Sequence, residues 1–172
     1  KMGTHIKLKD GYVVASAKNG LKGCYYKFPK ISVGATENIL IASCFAKGKT
    51  QLRNCALEPE VKDLIDFLKK LGCKINLVGK RSLDIIGVKK LKSISYNIIF
   101  DRIEAGTYII AAALTKGKLK IKNINSKFMH SEINLLRKMG VKIVSKKNYI
   151  IVSAPNPLKG INVTTEPYPG FP

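Results

Sequence analysis

The chain has 172 residues, of which 45% are hydrophobic and 24% charged, with no tryptophan. That is apolar material enough for the core of one domain or two small ones, and it excludes a wholly disordered chain. The net charge of +20 suggests a polyanion binder, nucleic acid first, but only Arg53, Arg81, Arg102 and Arg137 are arginine, the residue of bidentate phosphate and guanine contacts. The lysine excess reads equally well as compositional background.

In chain order, Lys1-Met2-Gly3-Thr4-His5 lacks the apolar stretch of a signal peptide. Tyr12, Tyr25 and Tyr26 stand in strand-like stretches with lysines, where sheet packing is a simpler role than base stacking. A first helix is expected over 37–46, ended by Lys47-Gly48, and a strand over 50–54. Pro59 then fits the first turn of a second helix. Val61, Leu64, Ile65, Leu68 and Leu71 fall on one face of it, and Gly72 ends it. Residues 74–78 and 83–86 form a hairpin around Gly79-Lys80-Arg81, and 95–99 is a last strand. The order then recurs: a helix over 105–115 ended by Gly117, a strand over 119–123, a helix over 131–139, a hairpin of 142–144 with 149–152, and a strand over 161–165.

The recurrence is visible in the letters. Lys70-Leu71-Gly72 returns as Lys138-Met139-Gly140 and matches Lys1-Met2-Gly3; Lys47-Gly48-Lys49 returns as Lys116-Gly117-Lys118; Leu21-Lys22-Gly23 has counterparts at Leu91-Lys92-Ser93 and Leu158-Lys159-Gly160. The period is about 69 residues, counted along the chain as for any repeat array. The first helix of each copy, through Ile39-Leu40-Ile41 and Ile109-Ile110-Ala111, is apolar nearly all round, which marks a buried helix, whereas the second is amphipathic. The fold class is therefore α/β, built from helix–strand–helix–hairpin units with strands outside and one helix in the middle. The chain opens and closes within a repeat, so a fragment of something longer is expected.

Few residues carry chemistry. Cys24, Cys44, Cys55 and Cys73 form no CxxC clip; Cys44 and Cys73 read as small core residues in a reducing compartment. His5 and His130 have no ligand at metal spacing, so no metal is expected. No apolar run reaches bilayer length, and a cytoplasmic protein is expected. Lys30-Ile31-Ser32-Val33-Gly34-Ala35 precedes the first buried helix. Helix-start N–H groups, a lysine and a glycine that admits close approach make an anion site in physical terms, although a plain Ser cap explains the same letters. By the repeat, Asp101 and Arg102 occupy the equivalent place. A charged pair beside a buried helix is either a local cap or part of a site. Glu60 suits the helix dipole, and the role of Glu58 is open.

Lys30 through Asn38, Glu58-Pro59-Glu60, Asp101 through Thr107 and Pro167 through Pro172, in that order and spacing, closely resemble the UDP-N-acetylglucosamine 1-carboxyvinyltransferases, the enolpyruvyl transferases of peptidoglycan synthesis. The resemblance covers essentially the whole chain, and Ser-Val-Gly-Ala-Thr-Glu-Asn is specific to this family rather than to the related shikimate-pathway transferase. It implies an incomplete inside-out α/β barrel, with residues 1–100 from one domain and 101–172 opening a second. It implies transfer of the enolpyruvyl group of phosphoenolpyruvate to the 3-hydroxyl of UDP-N-acetylglucosamine, with phosphate released and no cofactor. Lys30, Ile31, Ser32, Val33 and Gly34 would hold the UDP part; Glu58, Asp101 and Arg102 would be cleft residues. Tyr168 stands where many members have His. None of the four cysteines matches the family's catalytic cysteine loop, and the family's aspartate base matches no position here, so no catalytic residue is assigned and this chain alone is expected to be inactive. The alternatives are a basic module that binds nucleic acid, disfavoured by lysines scattered without a clustered stripe, and a structural remnant that self-associates.

Overall fold

A computed structural model describes residues 1–154 and 157–171. It divides into two compact units, Lys1–Asn97 and Ile98–Pro172.

Unit one opens with an antiparallel hairpin, β1 (His5–Lys9) and β2 (Tyr12–Ser16). Asp10-Gly11 forms its turn with both φ angles positive, 51° and 79°, as a tight right-twisted hairpin requires. The hairpin is solvent-exposed along both strands. A four-stranded sheet follows in the order β3-β4-β6-β5, from β3 (Tyr25–Lys27), β4 (Lys49–Arg53), β5 (Lys74–Gly79) and β6 (Ser82–Ile86). β3 and β4 are parallel, joined through helix α1 (Val33–Ser43), and β4 reaches the β5–β6 hairpin through helix α2 (Pro59–Lys70). Side chains alternate along the strands. Leu52, Leu83, Ile85 and Ile75 turn inward and pack with Leu40 and Cys44 of the α1 segment and with Val61, Ile65 and Leu68 of α2.

Unit two repeats the order with α3 (Arg102–Leu114), β7 (Lys118–Lys122), a 3-10 turn (Ser126–Met129), α4 (His130–Lys138), β8 (Lys142–Ser145) and β9 (Tyr149–Ser153). Its sheet has three strands, β7-β9-β8. Ile109, Met129, Ile133, Ile150 and Val152 form its core.

The repeat and the α/β class appear as expected, with four differences. First, α1 and α3 begin four and three residues early, so Val33, Gly34 and Arg102 lie in first helical turns rather than in connectors. Second, neither helix is buried all round. Ile41 is 50% exposed, and Ile103, Tyr108, Ile110 and Leu114 of α3 are exposed as well. Within a unit, one sheet and one amphipathic helix cover a single side, and an all-round apolar helix needs a second layer that the unit itself lacks. Third, 95–99 and 161–165 are not strands. By the repeat they correspond to β3, whose ladder runs along the strand of the following copy. Without that partner in its own unit, the first segment packs back on α2 instead. Tyr96 Oη donates to Asp63 Oδ1 at 2.8 Å and its ring meets Phe67 edge-on. Fourth, after α3 it is Lys116 that takes the left-handed conformation, at φ 52°, whereas Gly48 does so after α1.

Candidate functional site

The expected anion site lies where the parallel strands end and the helices begin, the usual place for a ligand in such sheets. Ser32 is the N-cap of α1, with extended backbone and its Oγ accepting from the Ala35 N–H at 3.3 Å. Thr36 N–H bonds the Ser32 carbonyl. Helix geometry then leaves the Val33 and Gly34 N–H groups without intrahelical acceptors. Lys30, Ser32 and Gly34 are exposed, while Ile31 and Val33 are half-buried and pack against the core. Those two can therefore offer a ligand mainly backbone. A Cβ built on Gly34 would meet no atom within 4 Å, so the fold of this unit does not require glycine there.

Thr36 ties this segment to the next one. It is fully buried; its Oγ1 donates to the Ser32 carbonyl at 2.7 Å and accepts from the Ala56 N–H at 3.0 Å. Asn54, at φ 60°, adds a second tie, its Nδ2 donating to the Phe28 carbonyl at 2.9 Å. These bonds fix the approach to Glu58, the N-cap of α2. Glu58 makes no side-chain cap bond, is 7% exposed, and its buried Oε2 has no hydrogen-bond partner. An orphaned buried acceptor of this kind costs about 1–3 kcal/mol, more when charged. Partial burial, then the carboxylates of Glu60 and Glu58, hold the Glu37 carboxyl above its usual range. The sequence missed Thr36 and Glu37; only the four-residue step from the capping serine could have pointed to Thr36.

In unit two, Asp101 is the N-cap of α3, accepting from the Ile103 and Glu104 N–H groups at 2.7 and 3.1 Å. It stands at the repeat position of Ser32, as Arg102 does at that of Val33. Arg102 is 8% exposed; its Nη1 lies 3.3 Å from Glu132 Oε1, and its guanidinium sits 5.5 Å from the Tyr168 ring centre. Ser131 Oγ lies 2.8 Å from Glu132 Oε2 and 3.2 Å from the Gly170 carbonyl. The pair Asp101-Arg102 thus splits into an exposed cap and a buried cation. Glu132, which nothing in its local sequence marks, is the partner of that cation. Pro172, the last residue of the motif ending in Phe-Pro, lies outside the described residues.

All four cysteines are free, and Cys44, Cys55 and Cys73 are buried. Burial, then the neighbouring Cys73, pushes the Cys44 thiol up to about 12, and burial pushes Cys55 up to about 11. Both are packing residues rather than nucleophiles. The lysines are not wholly scattered: alternation along β7 sets Lys118, Lys120 and Lys122 on the solvent side while Leu119 and Ile121 face the core. The spacing of Lys-Leu-Lys-Ile-Lys already carries that stripe. Among the described residues, no helix is long and apolar enough to cross a membrane.

The model of the EPSP synthase (3-phosphoshikimate 1-carboxyvinyltransferase) family matches residues 1–172. The chain belongs to this enolpyruvyl transferase family. Within it, the chain is 55% identical over 172 residues to a UDP-N-acetylglucosamine 1-carboxyvinyltransferase of Pelagibacter ubique, covering 100% of this chain and 41% of that protein. It is 48% identical to the protein of that name from Endomicrobium trichonymphae, again over 100% of this chain and 41% of the relative. Among solved structures, the enolpyruvyl transferase NikO of Streptomyces tendae superposes with a TM-score of 0.84 at 25% identity, over 99% of this chain and 43% of that one. An EPSP synthase of Acinetobacter baumannii shares the fold, with a TM-score of 0.67 at 21% identity over 95% and 39% of the two chains. This family member therefore spans about two fifths of the length of these relatives.

Proposed function

We propose that the chain supplies part of the substrate surface of an enzyme that transfers the enolpyruvyl group of phosphoenolpyruvate to UDP-N-acetylglucosamine in peptidoglycan synthesis. Lys30, Ser32 and the backbone of Ile31–Gly34 hold the UDP portion in this reading, with Glu58, Asp101 and Arg102 in the cleft, and the two compact units belong to two domains of the enzyme. The observation that carries the reading is the open space beside Gly34. A glycine that no neighbouring atom requires, set next to two unsatisfied helix-start N–H groups and a lysine, suits the close approach of a phosphate. The orphaned Glu58 Oε2 supports it, since a polar group kept buried without a partner in its own unit is better explained by a ligand or a neighbouring segment than by stability.

The test is a backbone-amide NMR titration of the chain with UDP-N-acetylglucosamine. Saturable shifts at residues 30–36, lost in Gly34→Leu while the rest of the spectrum persists, are expected. Saturable shifts elsewhere with none at 30–36 would refute the placement. The chain by itself is expected to release no phosphate from phosphoenolpyruvate and the UDP-sugar, because the family's cysteine loop and aspartate base match none of its positions. Phosphate release above background would overturn that.

A further inference from the structure

The outer face of the unit-one sheet holds a second feature, independent of the helix-start site. β3, β4 and β6 align Lys27 with Arg53 and Arg53 with Ser82 in one cross-strand row. The inward neighbours Tyr26, Leu52 and Leu83 belong to the core, so this row points away from the helices. Around it lies an open pocket of about 860 Å³ lined by Tyr25, Lys27, Phe28, Arg53, Asn54 and Arg81, together with Pro29 and Ser82. The lining contains three cations and no carboxylate. None of Lys30, Ser32, Gly34 or Glu58 belongs to it.

Like charges set opposite each other on neighbouring strands are destabilising, and here Lys27 sits beside Arg53. Asp84 stands two residues along β6 from Ser82 on the same face and is already shared, 2.7 Å from Lys49 and 3.0 Å from Arg53. The arginines are also held in place. Arg53 Nη1 donates to the Leu52 and Leu83 carbonyls, and its guanidinium lies 5.8 Å from the Tyr25 ring centre. Among the described residues, the side-chain hydrogen bonds of Arg53 all run through Nη1, which leaves Nε and Nη2 as uncommitted donors. Arg81 Nη1 donates to the Cys55 carbonyl at 3.0 Å. The Arg53 guanidinium, anchored through Nη1, has lost rotamer entropy in advance and presents Nε and Nη2 as a fork suited to phosphate oxygens.

We infer that this pocket binds a phosphate-bearing anion through Lys27 and Arg53, with Arg81, Asn54 and Ser82 lining its rim. The shared chemistry is a phosphate or pyrophosphate group, free or as part of an organic ester. Two amide-NMR titrations of the whole chain at low salt, one with inorganic phosphate and one with pyrophosphate, distinguish a single phosphate from a diphosphate requirement. Saturable shifts at residues 27, 53, 54, 81 and 82 in either titration are expected. Two charge reversals separate the site from the background of +20, because they lower net charge equally: Lys27→Glu in the exposed row, and Lys146→Glu in unit two. Affinity should fall at least fivefold in the first and less than twofold in the second. Equal losses in both variants, or shifts spread over lysines of both units without saturation, would overturn the assignment. A DNA oligonucleotide that shifts residues 118–122 and leaves the pocket unmoved would also count against it.

Discussion

Thr36 is the most informative single position, because one hydroxyl joins two segments of the candidate site. Thr36→Val keeps the shape and removes the oxygen. The Ser32 carbonyl then loses a donor, and the Ala56 N–H, in a residue with no exposure, loses its acceptor at 3.0 Å. A buried donor left unsatisfied costs about 1–3 kcal/mol. With a urea dependence of about 1–3 kcal/mol per molar for a small domain, the denaturation midpoint of unit one should fall by roughly 1 M. Thr36→Ser is the control, since it keeps both hydrogen bonds and gives up one methyl group, worth about 0.8 kcal/mol. Urea unfolding followed by circular dichroism measures the midpoints, and hydrogen exchange at Ala56 reads the lost bond directly. If the valine variant is as stable as the serine variant, or Ala56 exchange is unchanged, the tie between the α1 start and the Glu58 segment is wrong.

Further outcomes can be checked on the same protein. Gly87→Ala should unfold unit one, because its Cβ would run into the Ala46 carbonyl, whereas Gly34→Ala should leave the thermal midpoint within a degree or two; calorimetry of the two variants decides. Arg102→Ala removes one partner of a pair whose side chains are 7% and 18% exposed, and should cost unit two about 3 kcal/mol in chemical denaturation, with Arg102→Lys recovering part of it. Lys49 first, then Arg53, hold the Asp84 carboxyl below its usual range, so its stabilisation is present above the unfolded value near 3.8 and is lost as pH falls through the lower folded value. The raised Glu37 acts with the opposite sign, costing stability as pH rises above 4.5, so Glu37→Gln should flatten that limb of a pH–stability curve. A thiol reagent at pH 8 should titrate Cys24 quickly in the native chain and Cys44, Cys55 and Cys73 only after unfolding.

What the amino-acid sequence determined by itself was the repeat, its helix–strand–helix–hairpin order and the two helix types, because these depend on period and spacing along the chain. It also carried the caps. Ser32 and Asp101 both stand at helix starts, and the 69-residue offset that aligned them holds in three dimensions. The family was legible for the same reason, since its motifs are local strings. What only the tertiary structure decided depends on residues far apart in sequence. Glu132 comes to Arg102 across 30 positions and Ala56 to Thr36 across 20. Lys27, Arg53 and Ser82 meet because three strands share a register. The extents of burial on α1 and α3, and the absence of strands at 95–99 and 161–165, were likewise out of reach. A helix or strand pattern states which surfaces must be covered, whereas the presence of a covering layer or a pairing partner is a property of the packed unit.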